Sequence, residues 1–106
     1  MSEERYKAYL LVKDTIAVGT AINSCAHAGT AIMVHWSNTT EVMEWLKGPM
    51  RKVTCKVTVE QFERAKKSEL EHVVTTELAL NGEEVVLVFR PRTEWPKEFK
   101  FYSLYR

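Results

Sequence analysis

"TIAVGTAINSCAHAGTAIMVHWSNTT", residues 15–40, contains no Asp, Glu, Lys or Arg. Residues 17–36 within it read as one long helix. Successive helical residues turn by about 100°, so each side chain can be assigned a direction. Ile22, Cys25, Ala26, Gly29, Ile32, Met33 and Trp36 fall on one side and form the expected core face. Thr20, Asn23, Ser24, His27 and Thr30 fall on the other, with His35 near its edge. Cys25 and His27 point roughly 200° apart. They cannot act as a nucleophile and its base. Cys25 is expected to be a small buried hydrophobe with a protonated thiol.

Working outward, "YKAYLLVK" (6–13) is apolar and short, as a largely buried first strand should be. After the long helix, "SNTTEVMEWLKGP" restarts a helix. Asn38 and Glu41 offer a capping box, and Gly48-Pro49 gives the stop. "RKVTCKV" (51–57) alternates Val53, Cys55 and Val57 with Lys52, Thr54 and Lys56, the period of a strand. Thr58 and Gln61 open a third helix with Val59, Phe62 and Ala65 on its inner face. "EHVVTTELAL" (71–80) and "EVVLVF" (84–89) are two strands around Asn81-Gly82, a two-residue hairpin signal. The unbroken apolar run Val85–Phe89 predicts a strand covered on both faces. The aromatic tail after Pro91 is expected to be packed down, with Trp95 pinning it, and Trp36 and Trp45 belong to the core. His72 heads a strand and is expected to be exposed. The order β-α-α-β-α-β-β predicts one α/β domain over residues 1–106, a mixed sheet of about four strands with helices on both faces.

The chain has 106 residues, 45% hydrophobic and 27% charged, with a net charge of +1. That length suits a single domain. The near-neutral balance advertises no polyanionic partner by overall field. Two cysteines, Cys25 and Cys55, are too few for a disulfide framework. No signal-peptide pattern and no long apolar run appears, so a cytoplasmic protein with no membrane association is expected. Nothing calls for a cofactor or a metal.

The polar helix face is the informative half. A helix facing water usually carries Lys and Glu, and this one offers hydroxyls, an amide and imidazoles. Either it packs beneath another element or a second copy, or it lines a site where Thr20, Asn23, Ser24 and His27 bind a ligand. Gly19 fits a tight turn ahead of the helix, whose N-terminus is a potential anion seat. Asp14 is placed to cap that turn.

Taken together, "KDTIAVGTAINSCAHAG", "RKVTCKVTVEQFERAKK", "EVVLVFRP" and "EWPKEFKFYSLYR" resemble the type 2 peptidyl-tRNA hydrolase family in order and spacing. Cys25, His27 and Ala28 fall on the family's C-x-H-A positions, and Gly19, Gly82 and Pro91 also match marked positions. The departures are specific. The family's presumed catalytic lysine falls at Thr20, and the other lysine of its G-K-G-K turn at Val18. Its D-A-G-x-T motif falls on residues 73–77, which places Val73 at the Asp and Glu77 at the Thr.

The resemblance implies hydrolysis of the ester between a peptide and the tRNA ribose, and members that commonly pair. Such a reaction needs an activated water and a stabilised oxyanion. With the family's groups missing, His27, Asp14 and Glu77 are the expected catalytic residues, and Lys13 lies close by. Gly19, Thr20, Asn23 and Ser24 are the expected ligand contacts, with Arg90 and Arg92 for phosphate. The expected partners are tRNA and a second copy in a homodimer. The competing function is a binding module for tRNA, another RNA or a small ligand that keeps the fold without the chemistry. The tail carries Arg90, Arg92, Lys97, Lys100 and Arg106 against Glu94 and Glu98, which fits an RNA contact or an ordinary solvated surface.

Overall fold

The computed structural model describes residues 5–106. The elements run β1 (Lys7–Lys13), α1 (Val18–Trp36), α2 (Thr40–Lys47), β2 (Arg51–Val57), α3 (Val59–Ala65), β3 (His72–Glu77), β4 (Glu83–Arg92), α4 (Lys97–Phe101) and β5 (Ser103–Leu104). They form a mixed five-stranded sheet in the order β3-β4-β1-β2-β5. β1 runs parallel to β2 and antiparallel to β4. The fifth strand, two residues paired to Cys55 and Lys56, was not expected from the sequence.

Alternation along β1 and β4 sorts the core into two layers. Leu10, Val12, Val86 and Val88 face α1 and α2, together with Ala28, Ile32, Trp36, Val42 and Trp45. Tyr9, Leu11, Leu87 and Phe89 face the other way, toward Phe62, Ala65 and Phe99 of α3 and α4. Every residue from Val85 to Phe89 is fully buried, as a doubly covered strand requires. The tail is pinned as expected: the Trp95 ring lies 4.6 Å from Tyr9 and 5.1 Å from Phe99, centroid to centroid.

Several boundaries moved for identifiable reasons. Thr39, not Asn38, caps α2, because its hydroxyl serves both helices. It donates to the Trp36 carbonyl at 2.7 Å and accepts from the Val42 N–H at 3.3 Å. The capping box of Thr58 and Gln61 forms as expected, although Val59 stays exposed. The Asn81-Gly82 signal marks a hairpin, but a longer one. β3 ends at Glu77, a 3₁₀ turn spans Leu78–Leu80, and Asn81 (φ 58°) and Gly82 (φ 80°) complete the loop. The Gly82 N–H closes it onto the Glu77 carbonyl at 2.9 Å. His72 is half-buried rather than exposed, its ring 4.8 Å from Phe89.

The largest correction concerns α1. Its buried row is Ala21, Ser24, Ala28, Ile32 and Trp36, in steps of three and four. Ile22 is 63% exposed and Met33 38%, although both were assigned to the core face. Cys25 is half-buried at the margin. The helix carries apolar groups on both sides and no charge to mark the wet one, so its angular pattern points about one residue step away from the true seam.

Candidate functional site

Among the described residues, only Lys13 and Ser24 are both polar or charged and buried, at 9% and 1% exposure. Buried polar groups carry more information than exposed apolar ones. Lys13 closes β1, and Ser24 sits in the second turn of the helix that follows. In open α/β sheets, ligands bind beyond the carboxyl ends of the parallel strands, where successive connections leave toward opposite faces. Here α1 leaves β1 toward one face and α3 leaves β2 toward the other.

Ser24 packs toward β3, and its hydroxyl donates to Glu77 Oε2 at 3.4 Å. Glu77 is the last residue of its strand, so its carboxylate stands at the rim of the sheet, half-buried. Lys13 lies on the α3 side. Its ammonium sits 4.9 Å from the centre of the Phe62 ring and 3.8 Å from Glu83 Oε2. Glu83 pairs with Glu77 across the hairpin, so the lysine and the serine approach one rim from its two sides.

The start of α1 completes this rim. Ala17 occupies the N-cap without a side-chain acceptor, and the first turn holds no acidic residue. The first N–H groups of a helix have no partner within it and carry the positive end of its dipole. Gly19 lies inside that first turn rather than in a tight turn before it. A Cβ there would meet nothing within 4 Å. Thr20 is half-buried one turn before Ser24.

The other expected site residues are not gathered here. Asp14 is exposed and caps nothing: its backbone N–H bonds the Val57 carbonyl at 2.7 Å, which ties β1 to β2. His27 and Asn23 are exposed on α1. Arg90 and Arg92 lie at the opposite end of the sheet, since Arg92 pairs with Lys7 while Val86 pairs with Val12. Arg90 is engaged by Glu71 at 2.7 Å and Glu41 at 3.8 Å. Arg92 donates to the Glu94 carbonyl at 2.7 Å. Of the expected set, Glu77, Ser24, Thr20 and Gly19 share one neighbourhood. Val73, at the position of the family's aspartate, packs partly buried against the α1-side core.

Burial pushes both thiols up, Cys25 modestly and Cys55 to about 11. Cys25 lines a shallow apolar groove with Ala21, Ile22, Thr54 and Tyr105, away from Glu77. Among the described residues no three His, Cys, Asp or Glu side chains come together to hold a metal ion. No described helix is long and apolar enough to cross a membrane. No protein-family model matches the chain, and no match to a curated protein was found.

Proposed function

We propose that the protein is a divergent relative of the type 2 peptidyl-tRNA hydrolases that cleaves the ester of a peptidyl-tRNA at the carboxyl end of β1. The observation that carries this is the Ser24–Glu77 contact. The family's aspartate position holds Val73, yet a carboxylate is present four residues later, at the rim and against the helix that follows β1. The acid has moved along the strand rather than vanished.

In this scheme Glu77, oriented by the Ser24 hydroxyl, takes the proton of an attacking water. The water oxygen bonds to the ester carbonyl carbon, and the developing oxyanion is met by the uncapped N–H groups opening α1. The ester C–O bond then breaks. The ribose oxygen leaves with the proton that Glu77 took from the water, which restores the carboxylate. The peptide acid releases its remaining proton to solvent and leaves as its carboxylate. Lys13 offsets the charge of Glu83 at the rim, and the family's lysine at position 20 has no counterpart.

A second reading, binding of tRNA without turnover, is favoured by the outward placement of His27 and Asp14, which leaves Glu77 without an imidazole partner. Turnover of peptidyl-tRNA alongside binding of uncharged tRNA separates the two.

A second copy of the chain is the proposed cover for the outer face of α1. That face presents Val18 and Ile22, at 60% and 63% exposure, with Ala26 and Met33. Exposed apolar area of this kind on an uncharged helix marks an interaction surface, and pairing α1 with its own copy opposes two faces that both lack charge.

A further inference from the structure

We infer that a recess at the end of the sheet opposite Glu77 binds a small free α-amino acid, with Arg92 taking its carboxylate and Glu41 its ammonium. Tyr6, Glu41, Arg90, Arg92, Thr93 and Glu94 line a space of about 210 Å³. Drug-sized ligands fill roughly 300 to 1,000 Å³, so the occupant is a smaller solute. The site stands apart from the proposed hydrolytic rim and does not depend on it.

A β-bulge builds the recess. Across the register shift between β1 and β4, the two steps from Lys7 to Tyr9 face the three from Arg92 to Phe89. Pro91 lies in the longer stretch, where the ladder asks for no N–H. Bulges re-aim side chains and recur beside functional sites. Here the bulged segment carries Arg90 and Arg92, and the first turn of α2 supplies Glu41.

The two arginines differ in what they have left to offer. Arg90 is committed, to Glu71 Oε1 at 2.7 Å and to Glu41 Oε2 at 3.8 Å. Glu71 holds Arg90 closely, so the longer contact leaves Glu41 only partly used. Arg92 is aligned but not neutralised. Its Nε donates to the Glu94 carbonyl at 2.7 Å, and its guanidinium lies over the Trp95 ring, 5.7 Å from the centre. The Trp95 indole N–H in turn donates to the Arg92 carbonyl at 3.2 Å. Among the described residues, no carboxylate forms an ion pair with Arg92. Its two Nη groups therefore remain as a planar fork of fixed direction, which matches a carboxylate. An anion alone would meet Glu41 and Glu94 in the same recess. A ligand with an ammonium next to its carboxylate answers the spare cation and the spare anion together. An α-amino acid carries the two on neighbouring carbons.

The test is titration of the full chain with glycine and alanine at pH 7, followed through the backbone amide shifts of Tyr6, Thr93 and Glu94. Saturable shifts are expected at these amides. Acetate and methylammonium, each with half of the charge pattern, should bind at least about 10-fold more weakly. Arg92→Gln and Glu41→Gln should each weaken glycine binding about 10- to 100-fold, the range for losing one charged hydrogen-bond partner. Arg92→Lys keeps the charge without the fork and should weaken it too. Lys97→Gln, at an exposed position on α4, should leave it unchanged. Acetate binding as tightly as glycine makes the recess a plain anion site and overturns the proposal. So does the absence of saturable shifts, or glycine binding that Arg92→Gln and Glu41→Gln leave intact. The acetate and methylammonium titrations are read on the wild type, so they decide the matter even where a variant fails to fold.

Discussion

The Ser24 hydroxyl and the Glu77 carboxylate, 53 residues apart in sequence, meet at 3.4 Å where α1 passes over the end of β3. The serine is buried and the glutamate half-buried, so the pair holds an acid at the rim while leaving part of it open to water. Ser24→Ala should cost about 1 kcal/mol of stability, the ordinary net worth of such a hydrogen bond. Glu77→Gln should cost less, because an amide oxygen still accepts from Ser24. Urea midpoints measure both, and a double variant no worse than Ser24→Ala alone shows that the two effects are one interaction.

Putting the family's groups back at their aligned positions should have opposite outcomes at the two sites. Thr20→Lys is tolerated, since Thr20 is half-exposed in the first turn of α1. Val73→Asp places a carboxylate against the α1-side core and should destabilise the fold by roughly 2 kcal/mol or more. Thermal unfolding of the two single variants checks this directly.

The fold was legible where the apolar pattern or a cap was unambiguous. β2, α3 and the doubly buried β4 each showed a clear period or cap, and their positions held. α1 was legible as a helix but not in its orientation. Ile22 and Ile32 look alike in sequence, yet Ile22 is 63% exposed and Ile32 fully buried. The helical angles put Ser24 on the polar face, yet it is buried and meets Glu77 because it faces inward. Lys13 could not be distinguished from a surface lysine, because its burial depends on Phe62, which α3 brings back over β1. Arg90 and Arg92 were grouped with the site by sequence, but antiparallel pairing sends them to the far end.

The thiols give an alkaline signature. Burial raises Cys55 from 9.0 to about 11, and raises Tyr9 and Tyr102 as well. A group whose folded pKa lies above its unfolded value supplies stability that is fully present below the unfolded pKa. That stability is lost as pH rises through the folded value. The protein should therefore lose stability from about pH 9 upward, with Cys55 contributing on the order of 2 to 3 kcal/mol by complete ionisation. Cys55→Ala costs stability at neutral pH but flattens the alkaline limb. Urea titrations at pH 7, 9 and 10.5 measure both.

The outer face of α1 predicts self-association. Ile22→Glu places a charge at the centre of that face without touching the core, so it should leave the circular dichroism spectrum unchanged. Sedimentation equilibrium of the wild type should give a mass approaching twice that of the chain as concentration rises, and the variant should remain a monomer. A wild-type mass independent of concentration at the monomer value removes the second copy as the cover.

One measurement tests the proposed hydrolytic rim most directly: the single-turnover rate of peptidyl-tRNA hydrolysis by wild type and by Glu77→Gln. A positioned acid or base contributes about 10²- to 10⁴-fold. The wild type should therefore cleave well above the buffer rate, and the variant should fall by at least about 100-fold with its fold intact. Cleavage no faster than buffer, or cleavage that Glu77→Gln leaves unchanged, contradicts the claim that this rim is a hydrolytic site.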